Sequence, residues 1–131
     1  LKFLVEHKKN ITIVVDDENA VYLNEDDFIL LTSILNACKL TIADIALINI
    51  AKQPTSLHQC LQEFPTTHLI AFDITPEKLK VKLPHTLYKA HIVGDTTIVF
   101  SEALFSMRDS SAQAKQEKAK LWHILKSIFK L

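Results

Sequence analysis

The sequence predicts a single α/β domain with a mainly parallel sheet of about four to five strands. Three apolar runs, each with room only for a strand, predict the centre of that sheet: Ile11–Val15, residues 45–50 and His68–Phe72. Apolar residues at helical spacing fill the segments between the runs, and strands that alternate with helices are typical of parallel sheets with crossover connections. We find neither a repeat nor a linker, so we assign residues 1–131 to one domain.

The first run is β-branched and ends in Asp16-Asp17, which predicts a buried strand that runs into a turn. Asn24 then caps a helix, because its side chain can accept a backbone N–H and three acids follow it at the positive end of the helix dipole. Four apolar residues recur at helical spacing and predict the face that packs on the sheet: Phe28, Leu31, Leu35 and Cys38.

Pro54 breaks the chain after the second strand, and Thr55 or Ser56 can cap a second helix that extends to about Phe64. After the third strand, Thr75-Pro76 is a helix start, since Thr supplies a cap oxygen and Pro tolerates the first helical position. We expect this third helix to be short and to end before Pro84. Residues 86–93 and 96–100 flank Gly94-Asp95 at the spacing of a two-residue hairpin turn, which closes the sheet.

The C-terminal part predicts two more helices. Ser101 to Leu104 can begin a short one, and Ser110 followed by Gln113 is a capping-box pattern that opens a long terminal helix. The core stripe of the terminal helix is Leu121, Ile124, Leu125 and Ile128. Trp122 and Phe129 flank that stripe, and they either widen the core face or project as an apolar patch toward a partner.

Charge and composition exclude several function classes. Basic and acidic residues both number 15, so no net field holds the chain on nucleic acid, and we expect no direct sequence-specific nucleic-acid binding. No apolar run approaches the length of a membrane span, and Leu1 opens no signal peptide, so we expect a cytoplasmic protein. Because the chain opens on Leu1 without Met, we also expect residues ahead of it to be missing.

Cofactor and metal sites lack their usual residues. The chain has one glycine, which excludes glycine-rich phosphate loops and nucleophile elbows. Cys38 and Cys60 lie far apart and are expected to be buried free thiols, and the histidines never pair at helical spacing, so we expect neither a metal nor a cofactor. The best case for an enzyme is a general base among Asp16, Asp17 and Asp73, at the carboxyl ends of parallel strands where ligands commonly bind. Strand-end aspartates also serve as turn formers.

Four short motifs in the second half of the chain carry a family resemblance: Ile74-Thr75-Pro76-Glu77-Lys78-Leu79, Leu83-Pro84, Ser101-Glu102-Ala103-Leu104 and Lys120-Leu121-Trp122. By their order and spacing, residues 30–129 resemble the psi subunit of the bacterial DNA polymerase III clamp loader, a fold relative of uracil-DNA glycosylases. The resemblance implies a three-layer α/β/α sandwich of the uracil-DNA glycosylase kind. It also implies an adaptor in DNA replication, which connects the clamp loader to the chi subunit that contacts single-stranded-DNA-binding protein.

The last two motifs also resemble the end of a bacterial uracil-DNA glycosylase, where a His-Pro-Ser motif precedes an Ala/Leu-rich turn. In that alignment the glycosylase histidine falls at Phe100, and its Pro-Ser falls at Ser101 and Glu102. A phenyl ring cannot donate a hydrogen bond to a developing oxyanion, so the resemblance implies a degenerate site and a protein that is not an enzyme.

Three hypotheses remain open at this point. The first is the non-catalytic adaptor, for which Phe105, Trp122 and Phe129 are candidate aromatic residues of a protein interface. The psi family reaches the clamp loader through a segment ahead of the folded domain, and here only residues 1–10 precede the first strand. The second is a nucleobase- or nucleoside-processing enzyme that uses the strand-end aspartates. The third is an unrelated interaction domain, which self-associates through the terminal helix.

Overall fold

The computed structural model describes residues 4–5, 10–63 and 65–131. For residues 4 and 5 it describes the backbone alone. Nine elements of regular structure follow in chain order: β1 Leu4–Val5, β2 Ile11–Val15, α1 Glu25–Ala37, β3 Ile45–Asn49, α2 Leu57–Glu63, β4 His68–Phe72, β5 His91–Val93, β6 Thr96–Ser101 and α3 Ala112–Phe129. Three short 3-10 turns supplement them: Ile42–Asp44, Pro76–Leu79 and Leu104–Met107. Phe64, at the expected end of the second helix, lies outside the described residues, as does most of the segment ahead of β2.

All strands join one sheet in the order β1-β3-β2-β4-β6-β5. β2 pairs in parallel with both β3 and β4, and β4 pairs in parallel with β6. β1 and β5 are antiparallel edges. The expected α/β class and mainly parallel sheet are therefore confirmed, and β2 to β6 agree with the expected strand number. The two-residue β1 is an edge that the sequence pattern did not indicate.

The sheet is buried on both faces because residues of each central strand alternate between two apolar clusters. Ile13 and Val15 of β2 join the cluster that α1 and α3 cover. Val14, between them, joins the cluster on the other face, which α2 and the Pro76–Leu79 turn cover. Burial on both sides explains why the parallel strands are continuous apolar runs rather than alternating ones.

Local signals placed the first helix and the hairpin correctly. Asn24 caps α1, since its Oδ1 accepts the backbone N–H of Asp27 at 2.9 Å. Gly94 has φ of +58°, the left-handed conformation that a tight hairpin turn between β5 and β6 requires. The Thr75-Pro76 start is also present, although the element is a four-residue 3-10 turn that ends where Lys80 adopts φ of +55°.

Three boundary predictions were wrong. Residues 86–90 are not part of β5, because Tyr88 has φ of +58° and its N–H bonds the Phe100 carbonyl instead of continuing a ladder. Ser101 belongs to β6, and the helical turn that follows begins at Leu104. The cap of α3 is Ser111 rather than Ser110, since Ser111 Oγ accepts the N–H of Ala114 at 3.1 Å.

The register of this cap can be tested by two adjacent substitutions. Ser111→Ala removes the oxygen that satisfies a backbone N–H at the start of α3, so we expect a loss of about 1 kcal/mol in the free energy of unfolding. Ser110→Ala is the matched control and should leave stability within about 0.5 kcal/mol. Urea denaturation followed by circular dichroism measures both. An equal effect of the two substitutions, or a larger one at 110, would contradict the assigned cap.

Candidate functional site

A cleft of about 330 Å³ opens where β2 and β4 end. The chain leaves these adjacent parallel strands toward opposite sides of the sheet, and such a reversal of strand order is where open α/β sheets bind ligands. Asp16, Asp17 and Asp73, the three aspartates predicted from the sequence, line this one cleft together. Asp27 and Arg108 also line it.

The rim of the cleft depends on Asn49, the last residue of β3, which is only 2% exposed. Its Nδ2 donates to the carbonyls of Asp17 at 2.7 Å and Ala20 at 2.9 Å, with a longer contact of 3.3 Å to that of Val21. Its Oδ1 accepts the N–H of Asp17 at 2.9 Å. One amide therefore bonds four backbone groups of the loop that follows β2.

Sequence reasoning missed Asn49. The signal available was a single amide at the end of an otherwise apolar run, in the strand expected to lie beside Asp16-Asp17. A buried polar side chain at a strand end must find hydrogen-bond partners, and here the partners are backbone groups of the neighbouring strand's loop.

The carboxylate of Asp17 stabilises both the turn after β2 and the residue that caps α1. Its Oδ1 accepts the N–H of Asn19 at 3.0 Å, and its Oδ2 accepts the N–H and Nδ2 of Asn24 at 2.8 and 3.1 Å. Burial opposes ionisation of this carboxyl, but the hydrogen bonds from Asn19 and Asn24 outweigh it and hold the pKa of Asp17 below its ordinary value. A carboxylate with a lowered pKa is a weak base at neutral pH.

On the opposite wall of the cleft, Asn24, Asp27 and Arg108 contact one another in sequence. Asn24 Nδ2 donates to Asp27 Oδ2 at 2.8 Å, so the same side chain connects Asp17 to Asp27. Arg108 Nε lies 3.2 Å from Asp27 Oδ1, and its NH1 donates to Asp26 at 3.0 Å. These contacts hold the first turn of α1 against the segment after β6. Asp27 Oδ2 is therefore hydrogen-bonded, whereas the buried Oδ1 has the ion-pair contact with Arg108 but no hydrogen bond.

Asp16 and Asp73 have different surroundings. Asp16 forms an ion pair with Lys78, and the hydrogen bond and charge of Asp16 raise the pKa of the Lys78 ammonium. Asp73 is exposed and has φ of +56°, and its N–H bonds the carbonyl of Ser101 at 2.9 Å. Asp73 is thus the most accessible of the three carboxylates that were singled out.

The residues aligned with the glycosylase motif do not line this cleft, although Ser101 bonds Asp73 at its edge through the backbone. Phe100 has no exposed surface and belongs to the apolar cluster under α2, with the rings of His85 and His91 edge-on at 6.0 and 5.8 Å. Ser101 is buried, and its Oγ donates to the carbonyl of Glu102 at 3.0 Å. The wall of the cleft contains none of Phe100, Ser101 and Glu102.

The three candidate interface aromatics have unequal exposure. Phe105 is 67% exposed beside the cleft, and its ring contacts the guanidinium of Arg108 at 4.7 Å. Trp122 is 37% exposed. Phe129 is half-buried and packs on the core under α3, with its ring centroid 4.8 Å from that of His68. Phe129 therefore widens the core face, whereas Phe105 and Trp122 project from the surface.

A second buried polar contact joins α3 to the end of the sheet. Tyr88 Oη donates to Glu117 Oε2 at 2.5 Å, and Gln113 Nε2 donates to Glu117 Oε1 at 2.9 Å. Burial, together with the hydrogen bond to Glu117, raises the pKa of the Tyr88 hydroxyl. The left-handed turn at Tyr88 therefore places a neutral donor against the buried carboxylate of α3.

The cysteines are buried free thiols, as expected. Burial raises the pKa of Cys60 to about 11, which keeps this thiol protonated and poorly nucleophilic. Within the described residues, no group of three or more histidine, cysteine, aspartate or glutamate side chains is arranged to hold a metal ion. In the same part of the chain, no helix has both the length and the apolar character that crossing a membrane requires.

Neither the protein-family models nor the curated protein sequences contain a match to this chain.

Removing the Asn49 side chain should destabilise the whole domain. Asn49→Ala leaves several buried backbone groups of the loop after β2 without a partner, so we expect a loss of about 2 to 4 kcal/mol in the free energy of unfolding. Asn36→Ala is the matched control, because Asn36 is exposed on α1. Denaturant unfolding measures both variants, and an Asn49→Ala variant as stable as Asn36→Ala would contradict the role assigned to Asn49.

Asp17 should also make stability depend on pH in acid. Since the folded-state pKa of Asp17 is lowered, its ionised form stabilises the fold above about pH 4. That contribution is lost as the pH falls through the folded pKa. The stability difference between the wild type and Asp17→Asn should be largest near pH 7 and shrink below about pH 4. Urea titrations at several pH values test this, and a difference that stays constant with pH would refute it.

Proposed function

We propose that this chain is a non-catalytic adaptor of the psi type, which bridges protein partners in the bacterial replicative clamp loader. The four motifs that resemble the psi subunit motivate this assignment. The arrangement of helices against both faces of a mainly parallel sheet agrees with the three-layer, uracil-DNA glycosylase-like fold that it requires. The partners would be clamp-loader subunits and a chi-like subunit.

The observation that carries the proposal is that three of the cleft carboxylates, those of Asp16, Asp17 and Asp27, are engaged in structural contacts. Asp17 accepts three hydrogen bonds from the loop and the start of α1, and Asp16 is paired with Lys78. Asp27 bonds Asn24 and faces Arg108. A general base needs a free lone pair near the substrate and a pKa near the working pH. The lowered pKa of Asp17 works against that requirement.

The position of Phe100 supports the same conclusion. If the chain descends from a glycosylase-like fold, the residue that should stabilise negative charge is a phenyl ring with no exposed surface. Its burial in the apolar cluster under α2, to which Leu69 and Ile98 also belong, gives it a structural role. A fold that has lost charge stabilisation but kept exposed apolar side chains such as Phe105 is suited to binding other proteins.

Affinity capture from a bacterial lysate tests the proposal. The tagged chain, at near-native salt, should recover clamp-loader subunits that mass spectrometry identifies, and a tagged unrelated α/β domain is the control. Recovery of no replication protein would overturn the psi-type assignment. Capture of other proteins alone would favour an interaction domain outside replication.

The shared cleft favours a second candidate function. Asp16, Asp17 and Asp73 line one concavity, the arrangement that a nucleobase- or nucleoside-processing enzyme would need. Asp73 is the most exposed of the three and would be its general base. The adaptor proposal expects no turnover of a uracil-containing oligonucleotide or of nucleosides by the pure protein. Turnover that Asp73→Asn abolishes, with folding unchanged by circular dichroism, would establish the enzyme instead.

A further inference from the structure

A groove of about 220 Å³ runs between α1 and α3, on the face of the sheet that these helices cover. Leu30 and Ile34 of α1 and Leu121 and Leu125 of α3 make it aliphatic. Trp122, which is 37% exposed, lines it from α3. An aliphatic groove flanked by one aromatic ring is complementary to a single apolar side chain of a partner.

The apolar surface continues beyond this groove. A wider hollow of about 620 Å³ lies between α1 and the Leu104–Met107 turn, and it shares Leu30 and Ser33 with the groove. Ile29, which is 61% exposed, and Phe105, which is 67% exposed, line the hollow. Large exposed apolar side chains that lie close together mark an interaction surface more often than isolated ones do, and here Asp26, Arg108 and Asp109 line the same hollow.

The charged side chains that α3 places beside the groove are all basic. Lys115, Lys118, Trp122 and Lys126 follow one another on α3 at spacings of three, four and four residues, which places them along one face of the helix. Lys118 lines the groove, and the Lys126 ammonium lies 6.0 Å from the centre of the Trp122 ring.

No carboxylate of these two helices offsets this stripe. The only acid of α3 is Glu117, which is buried and bonded to Tyr88 and Gln113. The acids of α1 all lie in its first turn, and residues 28–37 carry no charge. The groove therefore combines an aliphatic floor with a basic border, although the chain as a whole is neutral and Asp109, ahead of α3, interacts electrostatically with Lys118.

We propose that the groove between α1 and α3 binds a short acidic segment of a partner protein. An apolar side chain of that segment enters beside Trp122, and flanking carboxylates pair with Lys115, Lys118 and Lys126. This inference rests on the proposed adaptor function and names the chemistry of the partner segment. Single-stranded nucleic acid fits less well, because successive bases need several stacking rings and the groove offers one ring beside aliphatic side chains.

Selection from a random dodecapeptide display library tests the chemistry of the ligand. Peptides selected on the wild-type protein should be enriched in Asp and Glu around an apolar residue. Synthetic copies should bind the Lys118→Glu, Lys126→Glu double variant about tenfold more weakly or worse, since attraction becomes repulsion. The Lys82→Glu, Lys89→Glu double variant is the matched control, because both lysines are exposed and lie outside the groove. It should bind like the wild type.

Trp122 supplies a direct readout, because it is the only tryptophan of the chain. Saturable binding of a selected peptide should shift its emission to shorter wavelength as the ring loses water. Selected peptides without acid enrichment, equal binding by both double variants, or no change in emission would each overturn the proposal. A saturable emission change with oligothymidylate in place of peptide, or a dimer in sedimentation that Trp122→Ser abolishes, would also overturn it.

The affinity capture described above separates this inference from the adaptor proposal. If the Lys118→Glu, Lys126→Glu variant recovers clamp-loader subunits as well as the wild type does, the adaptor stands and the groove assignment fails. If acidic peptides are selected but no replication protein is captured, the groove assignment stands and the psi-type function fails.

Discussion

The amide side chain of Asn49 is the contact on which the carboxyl edge of this sheet depends. It is buried at the end of β3, and it bonds backbone groups of the loop after β2, 32 residues away for Asp17. Because the loop is fixed there, the Asp17 carboxylate can reach the amide of Asn24, and Asn24 can cap α1 and bond Asp27. Removing the Asn49 amide would leave backbone groups of this loop without partners and would weaken the contacts of Asp17 and Asn24 that depend on the loop.

This network explains why the cleft has the location of an active site although three of its carboxylates, those of Asp16, Asp17 and Asp27, are engaged in structural contacts. Parallel strands bring their carboxyl ends to one edge, so aspartates that end strands gather there whatever the protein does. In this chain Asp17 accepts backbone N–H groups and Asp16 pairs with Lys78, whereas Asp73 stays exposed. Stability and function would compete for the same carboxylates. The exposed apolar and basic surface of α1 and α3 carries no such structural duty, which is why we place binding there.

Local sequence signals predicted the elements well where neighbouring residues decide the structure. The apolar runs placed β2, β3 and β4, and the acids after Asn24 placed the start of α1. Of the boundary predictions that were wrong, one failed because a distant contact determines the structure and another because adjacent residues are chemically alike. The strand expected from residue 86 begins only at His91, because Tyr88 bonds the Phe100 carbonyl through its N–H and the Glu117 carboxylate through its hydroxyl. The cap of α3 was misplaced by one residue because two adjacent serines offer the same chemistry, and only the backbone conformation selects Ser111.

The sequence by itself determined the α/β class, the parallel centre of the sheet and the gathering of Asp16, Asp17 and Asp73 at one edge, because these follow from hydrophobic periodicity and strand direction. Only the tertiary structure decided which of these carboxylates is engaged, and that Phe129 packs on the core while Trp122 lines a groove. Their partners come from other elements far along the chain. The free energy of a buried polar or apolar contact depends on those partners, and no local pattern specifies them.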